Sequence, residues 1–312
     1  MGERTIRTVQ KLNTFVVFPV IPGYIEAFLR TLHQFTPPNF QVIVVDQTKD
    51  GIYDLVKPYN VELYIRSYRN LGFSKAANIG ARLATTPYIT IANDDVEFIN
   101  SAWWQGIEDT FSTDEKIIAV NPNSPKIAMW GYGMDHYTKF ELLRKEDCAT
   151  EQGYRYLVDG DYSNHSLSTV SDKGETKPLP NSFALKQAGV IDAIATWFTV
   201  FKRDKYWALG GFDEKYYPGG GEDQDINARA YSKGLRMVGT MKSWVWHHWS
   251  SSRDHPEKLP KLNDELVWNN HDELWPPDWN EGHHMDPWGH YTNSKGVRTP
   301  LKRVPDVHVM PL

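Results

Sequence analysis

Disulfide chemistry is excluded at the outset, because the 312-residue chain carries one cysteine, Cys148. A single thiol builds neither an internal disulfide framework nor a cysteine zinc cluster, and it agrees with a reducing compartment. Long apolar runs are also missing. The longest, such as Phe15 to Ile21, fall far short of the roughly 20 residues that a membrane span needs. The opening MGERTIRTVQK lacks the apolar core of a secretory signal. The expectation is a soluble, cytoplasmic protein with no membrane span. Excess positive charge is absent too: a net charge of −5 and a pI near 6.1 leave no electrostatic footprint for nucleic acid. Neither internal repeats nor low-complexity blocks interrupt the chain.

What is there suits a folded α/β protein, with 40% hydrophobic and 13% aromatic residues. Apolar runs at Thr14–Val20, Gln41–Val45, Val61–Ile65, Pro87–Ala92 and Ile117–Val120 read as buried strands. Helical spacing falls between them at Tyr24–Phe35, Lys75–Ala84 and Ala102–Phe111. Such alternation predicts a mostly parallel sheet flanked by helices, with ligands bound beyond the carboxyl ends of its strands. Residues 121–190 read as an irregular insertion. Regular structure returns with a strand at Asp192–Lys202 and a helix at Arg203–Leu209. The expected organisation is one domain over 1–253 and a Trp-, His- and Pro-rich C-terminal arm over 254–312. Twelve tryptophans, several of them between Trp244 and Trp288, offer faces for sugar rings, although such rings also simply pack.

Two acidic clusters stand out. Asn93-Asp94-Asp95-Val96-Glu97 follows a buried strand, where hard oxygen ligands suit Mg²⁺ or Mn²⁺. GGGEDQDINARA, Gly219 to Ala230, opens a helix with Glu222, Asp223 and Asp225 behind a bare glycine loop. Acids at a helix start also favour its macrodipole, and Asp225 can pair with Arg229 one turn on.

The order of these segments, with RNLGFSKAANIGARLA at Arg69–Ala84 and ITIANDDVEF at Ile89–Phe98, resembles the nucleotide-sugar domain of GT-A glycosyltransferases, especially family 2. GGFDEKYYPGGGEDQDIN and HHWSSSRDHPEK are also similar to the GGED and histidine segments of β-1,4-galactosyltransferases. The resemblance covers about residues 12 to 250 and implies a GT-A (Rossmann-like) fold and a metal-dependent, inverting transfer from a nucleotide-diphosphate sugar, a UDP-sugar first, to a hydroxyl of a glycan or glycoconjugate. It implies that Asp95 holds the metal of a DXD-type motif, with His247 or His248 as a further ligand, and that Asp94 contacts ribose. By the same resemblance, Asp46 would read the nucleobase or ribose, Pro19, Asn70, Gly72 and Asn78 would line the nucleotide pocket, Asp223 would be the general base and Glu222 would orient the acceptor. The turn after Asp46, DQTKDG, departs from the family's short Ser/Asn/Gly-rich pattern. Three other readings stand beside this one: a sugar-phosphate nucleotidyltransferase, which lacks here its Gly-rich, Arg-containing loop; a non-catalytic sugar-binding protein; and a transferase acting on a modified DNA base.

Overall fold

A computed structural model describes residues 10–124, 145–159 and 194–248, with short backbone strands at 137–139, 168–170, 176–178, 190–192, 284–285, 290–292 and 298–300. Most of the expected insertion and, apart from three of those strands, the expected C-terminal arm lie outside the described residues.

Eight strands build the central sheet: β1 (Asn13–Val17), β2 (Phe40–Asp46), β3 (Leu63–Arg66), β4 (Tyr88–Ala92), β6 (Ile117–Asn123), β7 (Val190–Asp192), β8 (Phe198–Lys202) and β9 (Arg236–Trp244). Their order across the sheet is β3-β2-β1-β4-β8-β6-β9-β7. Pairing is parallel from β3 through β4 and between β6 and β9; β8 runs against both its neighbours, and β7 runs against β9. Val17 lies level with both Val44 and Ala92, so β1, β2 and β4 reach one edge together. The loops that follow them share that edge. A short ladder joins β5 (Val96–Glu97) to β10 (Trp246–His247) just beyond it.

Strand residues alternate between two cores, as a sheet covered on both faces requires. Phe15, Val17, Val42, Val44, Phe198 and Val200 face α1 (Ile25–Phe35), α2 (Tyr53–Val56) and α4 (Trp103–Thr113). Val16, Ile43, Val45, Ile89, Ile91 and Phe201 face α3 (Phe73–Leu83), α7 (Arg203–Ala208) and α8 (Glu222–Ser232). Phe15, fully buried, meets the rings of Phe28, Phe40, Phe98, Trp103 and Phe198. Burying one such side chain contributes about 1.5–3 kcal/mol. A third cluster seats α5 (Lys145–Cys148) and α6 (Glu151–Asp159) on Trp244 through Cys148, Tyr154 and Leu157.

The expected strand over Asp192–Lys202 is two strands. β7 and β8 are separated by Ile194–Trp197, where the chain turns before entering the sheet between β4 and β6. No helix among the described residues is long and apolar enough to cross a membrane. The contact of α4 with β9 is close enough to test: a Cβ on Gly106 would lie 2.1 Å from the Lys242 carbonyl oxygen. Gly106→Ala is therefore expected to cost about 1–3 kcal/mol, read as a lower urea midpoint. An unchanged midpoint would show that α4 shifts freely.

Candidate active site

Asn93, Asp94 and Asp95 form the turn that leaves β4, and the β5–β10 ladder carries a histidine pair to it. Alternation along β10 separates the two rings, which the sequence left open. His247 is 4% exposed, and its Nε2 lies 3.1 Å from Asp95 Oδ1. Its ring stacks on Trp197 with centroids 4.5 Å apart and planes 5° from parallel. His248 turns the other way, with its imidazole 2.6 Å from Glu97 Oε1 and against the Tyr24 ring. Of the two candidate ligands, His247 is the one beside Asp95; the His248 side chain meets Glu97, while its backbone N–H donates to the Asp95 carbonyl at 2.8 Å. Glu97 also takes Lys145 at 2.9 Å and Arg30 at 3.5 Å. The hydrogen bond with His248 and the Lys145 ammonium hold its carboxyl well down, at about 2.

Asp94 and Asp95 put two adjacent carboxyl groups at one poorly solvated turn. Asp94 Oδ2 is buried with no hydrogen-bond partner among the described residues. Burial, and then the neighbouring Asp95 charge, push the Asp94 carboxyl up to about 7. No three His, Cys, Asp or Glu side chains gather as a metal centre among the described residues. Two ligands nevertheless suffice for a hard cation that completes its shell with phosphate oxygens and water. The 3.1 Å between Asp95 Oδ1 and His247 Nε2 is an ion-pair distance, and it suits adjacent corners of an octahedron, about 3 Å apart for ligands at about 2.1 Å.

Two residues expected to meet the nucleotide are engaged within the protein. Asp46 is fully buried, and its carboxylate is spent on the Thr48 N–H (2.8 Å), the Thr48 hydroxyl (2.7 Å), the Ile52 N–H (3.1 Å), the Tyr64 hydroxyl and the Arg66 guanidinium (3.2 Å). It shapes the loop after β2 from below. Asn78, 2% exposed, donates to the Phe212 carbonyl (2.8 Å) and Glu214 (3.1 Å) and accepts from the Tyr206 hydroxyl (2.6 Å) and the Phe212 N–H (3.1 Å). It pins the GGFDE turn to α3.

The other positions stay at the strand ends. Pro19 is buried, and its carbonyl accepts the Gln47 N–H at 3.0 Å. Gln47 in turn reaches the Phe18 carbonyl at 3.2 Å and takes the Leu71 N–H at 2.6 Å, tying together three strand-end loops. Asn70 is exposed and closes a turn by accepting the Gly72 N–H at 2.8 Å. Gly72 has φ +77°, and a Cβ there would stand 2.9 Å from the Pro218 carbonyl oxygen. Only glycine lets the loop before GGGED approach so closely, and the Phe73 N–H donates to that same oxygen at 2.7 Å.

That loop ends in Gly220 and Gly221, at φ +97° and +90°, and α8 begins at Glu222. Its acids part company. Glu222, 6% exposed, bends back to accept the Gly220 N–H. Asp225 holds Arg229 at 2.8 Å through Nε. Asp223 is half-buried, and its backbone carbonyl accepts from the Asn227 amide at 2.7 Å. The Asn227 amide also brackets the backbone of Ile194, at 2.7 and 3.1 Å. Three residues on, the Trp197 carbonyl accepts the Asn93 N–H at 2.8 Å. One continuous set of contacts thus joins the two acidic clusters. Trp197 carried no signal of its own, because it sits in an apolar run.

This sheet, with an acidic turn at one strand end and an acid-bearing helix beyond it, defines a GT-A glycosyltransferase fold. Residues 16–157 match the model of Glycosyl transferase family 2, a span that includes Asp94 and Asp95 and stops before α8. A crystal structure of GalNAc-T7 with UDP, GalNAc and Mn²⁺ shares the fold with a TM-score of 0.58 at 15% identity, over 87% of this chain and 49% of that one. Validoxylamine A glucosyltransferase of Streptomyces hygroscopicus subsp. limoneus is 25% identical over 245 residues, covering 72% of this chain and 50% of that protein. N-acetylgalactosaminyltransferase 6 of Drosophila melanogaster is 25% identical over 319 residues, covering 94% of this chain and 44% of that protein. The chain therefore spans 50% or less of the length of these two relatives.

Proposed function

We propose that the protein is a metal-dependent, inverting glycosyltransferase that moves a sugar from a nucleotide-diphosphate donor to a hydroxyl of a glycan or glycoconjugate. The observation that carries this reading is the buried Asp95 facing His247 at the end of β4, beside Asp94, whose Oδ2 is also buried. Asp95 and His247 would hold Mn²⁺ or Mg²⁺, which supplies Lewis-acid neutralisation of the leaving diphosphate. Asp94, beside them, would meet the donor ribose, with Pro19 and Asn70 lining the nucleotide pocket at neighbouring strand ends. The acceptor oxygen bonds to the anomeric carbon as the bond from that carbon to the diphosphate breaks. Asp223 takes the hydroxyl proton, and the nucleoside diphosphate departs with the bonding electrons. Attack from the Asp223 side, opposite the leaving group, inverts the anomeric centre. Glu222 supports the acceptor side by bracing the glycine loop.

GalNAc-T7 was crystallised with UDP and Mn²⁺, which makes that combination the first to try. Melting curves with UDP, GDP, dTDP or CMP, each with and without Mn²⁺, test the donor class. One nucleotide is expected to raise Tm by about 5 °C at about 100 times its Kd, and only with Mn²⁺ present. No metal-dependent shift with any of the four would overturn the reading.

A further inference from the structure

Trp197 touches both halves of the cluster to which the metal is assigned, by two different parts of the residue. Its backbone carbonyl holds the Asn93 N–H at 2.8 Å, fixing the entry to the acidic turn. Its indole lies flat on the His247 imidazole, 4.5 Å between centroids and 5° between planes. Both side chains are buried, at 6% and 4% exposure. The His247 backbone is anchored separately, its N–H donating to Ser124 Oγ at 3.1 Å. With the backbone fixed there, the remaining freedom of the imidazole is rotation about its own side-chain bonds. A flat stack fixes the plane of the ring, because tilting it drives its edge into the indole face, and leaves only two orientations related by a half-turn. The orientation seen points Nε2 at Asp95 Oδ1.

We propose that Trp197 is a positioning residue for the cation: it holds the His247 ring in the plane in which Nε2 and Asp95 can ligate together. The proposal rests on the reading of Asp95 and His247 as ligands given above. Partners that orient a ligating histidine typically change metal affinity by about 10–100-fold when removed.

The test uses the full chain, Mn²⁺ alone as probe, and two readouts: Mn²⁺ affinity by continuous-wave EPR, and the ¹⁴N modulation that a directly bound imidazole imposes on Mn²⁺ in pulsed EPR. Trp197→Leu is expected to bind Mn²⁺ about tenfold more weakly or worse and to lose the ¹⁴N signal. Trp197→Phe, which keeps a flat ring, should retain both. Melting in EDTA separates folding from ligation, and if the leucine variant does not fold, Trp197→Met takes its place. A leucine or methionine variant that keeps the ¹⁴N signal and wild-type affinity would overturn the role of Trp197 alone. A wild-type protein that binds Mn²⁺ without ¹⁴N modulation, or not at all, would overturn the assignment of His247 as a ligand, and the inference with it.

Discussion

Asp95→Ala is expected to lower kcat/KM for sugar transfer by about 10³ or more, the scale of losing preorganised charge stabilisation at a leaving group. The Mn²⁺-dependent rise in Tm with nucleotide should vanish with it. Stability without metal should not suffer. Asp95 lies buried beside Asp94, whose carboxyl is pushed up by burial and then by the Asp95 charge, so removing that charge relieves repulsion in a poorly solvated turn. An unchanged or higher Tm in EDTA, alongside lost activity, therefore marks the residue as functional rather than structural. Asp95→Asn sharpens the point by keeping the shape and discarding the charge; it should fail nearly as badly. Turnover that survives in EDTA would remove the metal from the mechanism, and Asp95 with it.

The sheet was legible because its signals are local. β1, β2 and β4 are runs of apolar residues buried on both faces, and the helices between them repeat on one face. The acidic turn was legible for the same reason, as a polar break after the apolar run Tyr88–Ala92. Side-chain roles were harder, because an acid at a strand end has the same sequence whether it meets a ligand or a loop. Asp46 is spent on Tyr64 and Arg66, residues brought to it by the β2–β3 register, which pairs Asp46 with Arg66. Asn78 is spent on Tyr206 and Phe212, more than a hundred positions away. The histidine pair is the converse case. Alternation alone put His247 and His248 on opposite faces, and only the pairing of β10 with β5 shows which face holds Asp95. α6 escaped notice because its buried positions, Tyr154 and Leu157, sit in a polar stretch and find their partner in the distant Trp244.

Asp223→Asn should have the opposite profile to a structural change in the same helix. In the first turn of α8, Glu222 is bent back on the glycine loop and Asp225, 2% exposed, is committed to Arg229, whose other nitrogen reaches the Leu209 carbonyl at 2.6 Å. Asp223 alone of the three stands half-exposed at the mouth of the loop, its peptide carbonyl tied by Asn227 to the segment that leads to Trp197. An amide of the same shape keeps those backbone ties but cannot take a proton at neutral pH. The expected result is a fall in kcat of about 10²–10⁴, with donor KM and the Mn²⁺-dependent nucleotide shift unchanged, because the lost interaction belongs to the transition state. Asp225→Asn breaks an ion pair buried on one side, so it should lower Tm while leaving kcat within a few-fold. If the two variants exchange profiles, the base is Asp225 and the helix must turn its buried face to the acceptor; if Asp223→Asn turns over normally, proton removal is not a function of this helix.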